Sequence, residues 1–490
     1  MVRSQLDAHN SMNAENEERL GVLLNTEEWQ VFECKGASIK PAKLIETVVA
    51  FANTNGGTIV LGLEDPKRAK GNKRLLGINR NADNVSHILA LITKEIEPPL
   101  IGFDHEELDI VNVDGDEDKL VLLKITKSDD VHSLKNGDTY TRKGNQNQKI
   151  GASEIMRLKY EKGSIKLESE ISNLNKFDDL NTSLLQTFKE DTSGKGSDWQ
   201  FLKDNGLATK KKGKFYLTKG GVLLFGKNPS VLLGSKSSIK ISRFFGTRQT
   251  FTGTPNLVHK PITLEGPLLE QINAAVEYFR DVVKRSPPKL SGSTFKPSLL
   301  IPEPAFQEAV TNAVIHRNYS IQNDIQIRFF DDRIEIESPG TYPGHVTPAN
   351  IRRERFARNP IIQRTLNRFG DAPNLDIGEG VDRMFKVMKL KNLYEPLYQP
   401  PTVFPNSVRV VLFNLQKIEA WDTVSKYLDK NIRITNEQAR NITGIVDTVR
   451  MSRLLKQWVE SGLLKKAEGK SKKDTHYYKA GQELSAVLFS

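Results

Sequence analysis

Apolar residues recur at helical spacing in several separated stretches of the chain, with short unbroken apolar runs between them. From Pro41 to Asn53, the positions Leu44, Ile45, Val48, Val49 and Ala52 fall on one face of a helix. Asn53-Thr54-Asn55-Gly56-Gly57 ends it with turn residues, and Thr58–Leu63 then reads as a short buried strand. A second helix is expected over Val85–Glu95, stopped by Pro98-Pro99. Leu120–Ile125 and Thr139–Arg142 read as strands, with an Asn136-Gly137-Asp138 turn before the second. Residues 20–160 are therefore expected to form one α/β domain. The polar stretch before them, 1–19, is expected to be a mobile lead-in.

Residues 165–299 read as a connector with a core of its own. Ser183–Phe188 and Trp199–Asn205 are short helices, followed by a basic hairpin of Leu207–Lys212, Gly213 and Phe215–Leu217. That order suggests a small winged-helix-like unit. Gly266–Arg285 is an amphipathic helix, with Pro267 suited to its first position. Residues 300–415 return to α/β: a helix over Pro304–His316, strands at Ile325–Phe330 and Arg333–Ser338, a helix over Asn359–Arg368, a Gly-rich loop, a helix over Val381–Leu390 and a strand at Ser407–Phe413. Residues 418–490 read as a winged helix-turn-helix. Glu419–Leu428 is its first helix and Ile432–Ile434 a short strand. Thr435 caps the second helix, with Gln438 as capping-box partner. Val446–Glu460 is the third helix, and strands Leu463–Lys466 and His476–Lys479 flank a basic wing over Glu468–Asp474. The expected fold class is α/β (α+β) and multidomain.

Composition narrows the class. At 490 residues the chain has room for roughly three to four domains. Its 27% charged and 38% hydrophobic residues are ordinary for a globular protein. The longest apolar runs fall far short of the ~20 residues a membrane span needs, and the first residues lack the apolar core of a secretory signal. No membrane partner is expected. The single cysteine, Cys34, cannot close an internal disulfide and excludes a cysteine-based zinc site. This fits a reducing, cytoplasmic compartment. Cys34 reads as a buried small hydrophobe, with a nucleophile as the alternative. The net charge of +11 attracts polyanions. Lys417–Glu483 alone carries 14 Lys or Arg against 9 Asp or Glu. A solvated surface is the alternative reading of that excess.

Three constellations carry candidate chemistry. Glu28 and Glu33 lie five apart, Lys35 follows in Glu33-Cys34-Lys35-Gly36, and Asp65 stands just beyond the strand after Gly56-Gly57. Three carboxylates converging at strand ends can hold a divalent ion that activates water, with Lys35 neutralising a phosphate. Solvated acids are the alternative. Glu308 and Asn312, four apart, share a helix face that His316-Arg317 extends. Such a carboxylate can polarise water and such an amide can reach a metal. The loop at Asp376–Val381 brings Gly378 and Gly380 to a helix start, where backbone can approach a phosphate. A structural or dimerising module that has lost nucleotide is the alternative. In the third constellation the outward side of the last helix offers Thr448, Arg450, Arg453 and Lys456, and the wing offers Lys470, Lys472 and Lys473. Arginines on such a helix can specify bases and wing lysines touch phosphate. Protein contacts are the alternative.

The run "ETVVAFANTNGGTIVLGLED", with the upstream "ECKG" and downstream "YTRKGNQN", resembles the Schlafen-type AlbA domain. Some eukaryotic members of that family are RNA endonucleases that use three acidic residues and a divalent metal. The resemblance implies Glu28, Glu33 and Asp65 in those positions, holding Mg2+ or Mn2+. Cys34 replaces the usual aromatic, and Glu64 stands beside Asp65. The strings "EPAFQEAVTNAVIHRNYS", "IEIESPGTYPG", "RNPIIQRTLNRFG" and "DIGEGVDRM" resemble the C-terminal domain of RecG-like proteins, divergent relatives of the GHKL ATPases. The connector string "LTKGGVLLFGKNP" belongs to the same resemblance. It implies ATP as a candidate ligand, with Glu308 and Asn312 in the family's Glu-x3-Asn box and Gly378 and Gly380 in the Gly-x-Gly lid. The adenine-binding aspartate has no match, and Glu337-Ser338-Pro339-Gly340 stands where it is expected. No Gly-x4-Gly-Lys-Ser/Thr loop occurs, so a helicase motor is not expected. Two functions follow as expectations. One is a metal-dependent nuclease governed by the ATPase-like domain, suited to antiphage defence. The other is a DNA-binding regulator without turnover. Either binds DNA or RNA, and both AlbA-like and ATPase-like folds imply a homo-oligomer, at least a dimer.

Overall fold

The computed structural model describes all residues except 1–15, 18, 27, 286–288, 292–293, 297–298, 374–378, 402, 432, 468–474 and 482–490. The chain divides into two compact units. One takes the described residues up to 159 together with 426–434, and the other takes 160–425 with 435–481. The lead-in expected at 1–19 falls mostly outside the described residues. Residues 19–25 are helical, and Leu23 enters the core of the first unit.

The first unit is built on a four-stranded sheet. Strand β1 (Phe32–Lys35) runs into helix α1 (Pro41–Asn53) and back through β2 (Gly57–Leu61), parallel to β1 with Lys35 opposite Leu61. Helix α2 (Ala82–Lys94) follows, then β3 (Phe103–Val111) and β4 (Glu117–Ile125). The sheet order is β1-β2-β4-β3, with β4 antiparallel to both neighbours. Alternation along the strands buries both faces. Ile59, Leu61, Val121, Leu123 and Ile125 pack with α1 and α2, while Phe32, Cys34, Val60, Leu120 and Leu122 form a second core with Leu23. Gly57 is required where β2 begins. Its φ is +153°, and a Cβ there would meet the Val31 carbonyl oxygen at 2.5 Å. Strands β5 (Thr139–Lys143) and β6 (Gln146–Ile150) form a hairpin against α1.

In the second unit, helices α3 (Thr182–Asp191) and α4 (Asp198–Asp204) precede a hairpin of β7 (Ala208–Lys211) and β8 (Lys214–Leu217), as the sequence suggests, and α5 (Lys219–Phe225) follows it. The connector does not keep a core to itself. Its strands β9 (Ile239–Arg243) and β10 (Ile262–Leu264) and its helix α6 (Leu268–Arg285) join the elements beyond residue 300. Those are α7 (Glu303–Ile315), β11 (Ile325–Phe329), β12 (Arg333–Pro339), α8 (Pro360–Leu366), α9 (Gly380–Leu390), β13 (Leu397–Tyr398) and β14 (Ser407–Phe413). One six-stranded sheet in the order β10-β9-β11-β12-β14-β13 crosses the boundary expected at 299/300. The crossing pair is parallel, with Ile239 opposite Ile325. A single apolar core runs from Leu180 to Leu412, in which Phe279 and Phe306 stack across α6 and α7 at 4.6 Å.

Beyond the sheet come α10 (Ala420–Lys430), α11 (Asn436–Thr443), α12 (Thr448–Glu460), β15 (Leu464–Ala467) and β16 (His476–Lys479). The capping box at Thr435 and Gln438 is formed as expected. Helix α12 starts at Thr448 rather than Val446, because the Asp447 carboxylate accepts from the backbone N–H groups of Val449 and Arg450 at 2.7 and 3.2 Å. Trp458, fully buried, donates its indole N–H to the Tyr394 hydroxyl at 3.0 Å. The expected strand at Ile432–Ile434 includes Ile432, which lies outside the described residues, as do the wing positions Lys470, Lys472 and Lys473. No described helix is long and apolar enough to cross a membrane.

Candidate functional sites

Parallel pairing of β1 with β2 sets the first site at the edge of the sheet. Glu33 is buried at 5% exposure on β1. Glu28, just before the strand, accepts from the Cys34 backbone N–H at 3.1 Å. The Lys35 ammonium joins the two carboxylates, 3.1 Å from Glu28 Oε1 and 2.5 Å from Glu33 Oε1. Burial pulls its pKa down, but the charge and hydrogen bonds of Glu33 and Glu28 outweigh that and hold it above the usual lysine range. The other oxygen of Glu33 pairs with Arg142 on β5, which sequence reasoning did not single out. Arg142 lies 5.1 Å over the Phe51 ring and donates to Asn147 at 2.8 Å. Its only sequence signal is its place in Tyr140-Thr141-Arg142-Lys143-Gly144.

Asp65 is held elsewhere. Its carboxylate accepts from the Lys67 backbone N–H at 2.8 Å, closing its own turn beyond β2. Among the described residues no three His, Cys, Asp or Glu side chains could together hold a metal ion. Glu28, Glu33 and Lys35 thus meet, and Asp65 does not join them. A donor set of two carboxylates already matched by Lys35 and Arg142 does not fit a three-carboxylate ion site. Cys34 is fully buried, and burial pushes its thiol up to about 12, which keeps it in the inert protonated form.

The second site lies on α7. Glu308 is buried at 3% exposure, and Asn312, one turn on, donates to its Oε1 at 3.0 Å. Arg383 on α9 donates to Oε2 at 2.7 Å. It too was missed in the sequence, although it sits in the quoted string Asp376–Met384. A Cβ at Gly380 would lie 1.8 Å from Glu308 Oε1, so a larger residue there would push the Glu308 carboxylate out of place. Gly378 lies outside the described residues.

These residues border a cavity of about 350 Å³. Ile336, Tyr342, Val346 and Val410 give it apolar walls, and Arg352, Arg355 and Arg383 bring cations to it. Apolar walls with a few convergent polar groups suit a small-molecule site, and this set fits a nucleotide's base and phosphates. Asn312 would reach a nucleotide-bound Mg2+, and Glu308 would orient water. Adenine recognition by a carboxylate is not provided at 337–340. Glu337 is engaged by Arg328 at 2.8 Å, Arg409 at 2.6 Å and the Ser407 hydroxyl at 2.9 Å. Burial pushes its carboxyl up, but Arg328 and Arg409 outweigh this and hold it below the usual range. The Ser338 hydroxyl is likewise committed to the Ala313 carbonyl at 2.7 Å.

On α12, Arg450, Arg453 and Lys456 are exposed on the side opposite buried Met451, Leu455 and Trp458. Lys456 lies 3.8 Å from Glu460, and Val446 and Val449 are exposed at the helix start.

Two family models match separate stretches of the chain. Residues 28–151 match the family model described as Schlafen, AlbA_2. Residues 322–412 match the one described as putative ATP-dependent DNA helicase recG C-terminal. No curated protein matches the chain. Among solved structures, the DIP2311 protein from Corynebacterium diphtheriae is similar at 17% identity, over 96% of this chain and 97% of that one, with a TM-score of 0.41. The two family matches indicate nucleic-acid binding and an ATPase-like domain that takes nucleotide, usually with Mg2+. The chain joins a Schlafen AlbA_2 domain at its N-terminal end to a RecG-like C-terminal, ATPase-like domain.

Proposed function

We propose that this chain binds nucleic acid without cutting it, as a regulator whose RecG-like domain holds a nucleotide. The observation that carries this reading is the state of the AlbA carboxylates. Glu28 and Glu33 are matched by Lys35, and Glu33 also by buried Arg142. An ion entering there would have to displace two cations. The cavity beside Glu308 and Asn312 supports the nucleotide half of the reading. The helix order from α10 to β16 supports a winged helix that lays α12 in a major groove, with exposed Arg450 and Arg453 toward base edges and Lys456 toward the backbone. Lys470, Lys472 and Lys473 would then meet phosphate.

The test incubates the full chain with labelled DNA and RNA, with magnesium and with manganese, and follows binding by anisotropy and fragment length by gel. Binding with intact strands is expected. A second reading, a metal-dependent nuclease using Glu28, Glu33 and Asp65, draws support from the two glutamates meeting at one ammonium. Cleavage by wild type that Glu33→Ala abolishes, with binding spared, would overturn the first reading in favour of the second.

A further inference from the structure

The ATPase-like unit carries an exposed aromatic and basic loop between β9 and β10 that neither family description covers. The chain leaves the sheet at Phe244, whose ring stacks on Phe330 at 5.1 Å, and folds back so that Phe244 faces Leu257 and Phe251 faces Pro255. Asn256 fastens the fold. Its amide N–H groups donate to the carbonyls of Phe245 and Arg248 at 2.6 and 2.8 Å, and its side-chain oxygen accepts from the Thr250 N–H at 2.8 Å. Arg333, lying 4.2 Å over the Phe330 ring, donates to the Thr247 carbonyl at 2.7 Å. On this braced frame Phe245 and Phe251 stand 62% and 74% exposed, with exposed Arg248 between them in sequence.

A braced loop that holds two phenyl rings in water does nothing for the core, which Phe244 already serves. The surrounding charge points to what covers the rings. From Ile239 to Leu264 there are four cations, Lys240, Arg243, Arg248 and Lys260, and no Asp or Glu. Of the acids on the adjoining β11 and β12 segments, Asp331 is exposed and its backbone N–H donates to the Gly246 carbonyl at 3.0 Å, while Asp332 and Glu335 are matched by Arg333 at 2.8 and 2.7 Å. Rings that offer flat faces among positive charges suit a ligand made of flat apolar groups on an anionic backbone. Single-stranded nucleic acid is such a ligand, because unpaired bases stack on aromatics while phosphates meet cations.

We propose that the loop from Phe245 to Pro255 is a stacking platform for single-stranded nucleic acid, with Phe245 and Phe251 under the bases and Arg248 on the backbone. The inference rests on the nucleic-acid-binding reading above, but on residues other than those of α12.

The test uses the full chain and a fluorescein-labelled oligothymidylate of about 15 nucleotides, within the usual site size of such surfaces, beside a labelled duplex. Phe245→Ser combined with Phe251→Ser should weaken oligothymidylate binding by about a hundredfold, since each of the two lost stacks is expected to cost about tenfold. Duplex binding and melting temperature should not change. Phe245→Trp with Phe251→Trp should restore or tighten binding. Arg248→Ala should lower the salt slope of oligothymidylate binding by about one phosphate's worth. Unchanged oligothymidylate affinity in the double serine variant would overturn the platform, while surviving duplex binding would leave the general reading intact. Conversion of a wild-type dimer to monomer by the serine variant, with oligothymidylate affinity kept, would assign the loop to a second copy of the chain and also overturn it.

Discussion

Two buried glutamates, one in each unit, meet an arginine in contrasting ways. Glu33 of the AlbA domain is gripped by Lys35 and by Arg142, whose side chain is 1% exposed, and the net extends through Asn147 to Thr47. Glu308 of the ATPase-like domain is held by Asn312 and by Arg383, whose side chain is 34% exposed and borders a cavity of about 350 Å³. Taking a charge from water is repaid only by good pairing, and removing one partner of a buried pair is the costly event. The first glutamate is therefore fixed between a fully buried arginine and a partly exposed lysine, a pairing that favours structure. The second faces open space beside a cation that solvent already reaches, where a polyphosphate can compete for Arg383. On the proposed function, the same residue type serves architecture in one unit and a ligand response in the other.

The comparison breaks most visibly at Arg142. Arg142→Ala leaves Glu33 buried with half its pairing, so urea unfolding of the first unit should come earlier by about 3–5 kcal/mol. A shift below ~1 kcal/mol would mean the pairing does not favour structure. Next is the nucleotide response. ATP with magnesium at a hundredfold excess over its dissociation constant should stabilise wild type by about 2.7 kcal/mol, by mass action, in thermal unfolding. Arg383→Ala sharpens the contrast. It should cost the ligand-free protein only about 1–3 kcal/mol, the desolvation of a carboxylate left unmatched, because water can enter from the cavity side. A loss equal to that of Arg142→Ala would erase the difference between the two sites. The smallest effect is at alkaline pH. The folded pKa of Lys35 is raised above 10.5, so its stabilisation is full below that value and is lost as pH rises through the higher folded value. Lys35→Met should flatten that alkaline limb of stability, and an unaltered limb would show that Lys35 does not report the pairing.

What the sequence announced and what it hid divides along local and distant chemistry. Helix α1 was legible to the residue, Pro41 to Asn53, because its apolar period, its proline start and the Asn-Thr-Asn-Gly-Gly stop agree. The Thr435 cap was legible for the same reason. Strand β3 was not, since its apolar alternation is confined to Leu108 and Ile110 near its end. The shared sheet was hidden because β9 pairs with β11 across 86 residues of chain between Ile239 and Ile325. Glu28, Glu33, Lys35, Glu308 and Asn312 stood out in the sequence, yet the two arginines that pair with the buried glutamates did not. Arg142 meets Glu33 from 109 residues away and Arg383 meets Glu308 from 75, and such pairs leave no periodic trace. Gly380 carried a legible cue as a glycine before a helix. Its tightest constraint, the approach of Glu308 Oε1, is a matter of packing between α7 and α9.

The central claim is that Glu308, Asn312 and the cavity beside them form a working nucleotide site, unlike the pairing at Glu33. Isothermal titration of the full chain with ATP and magnesium tests it most directly. The account predicts saturable binding at one nucleotide per chain, lost in Asn312→Ala while the ligand-free variant stays folded and still unfolds in a cooperative transition. No heat at millimolar nucleotide, or equal heat from wild type and Asn312→Ala, would contradict it.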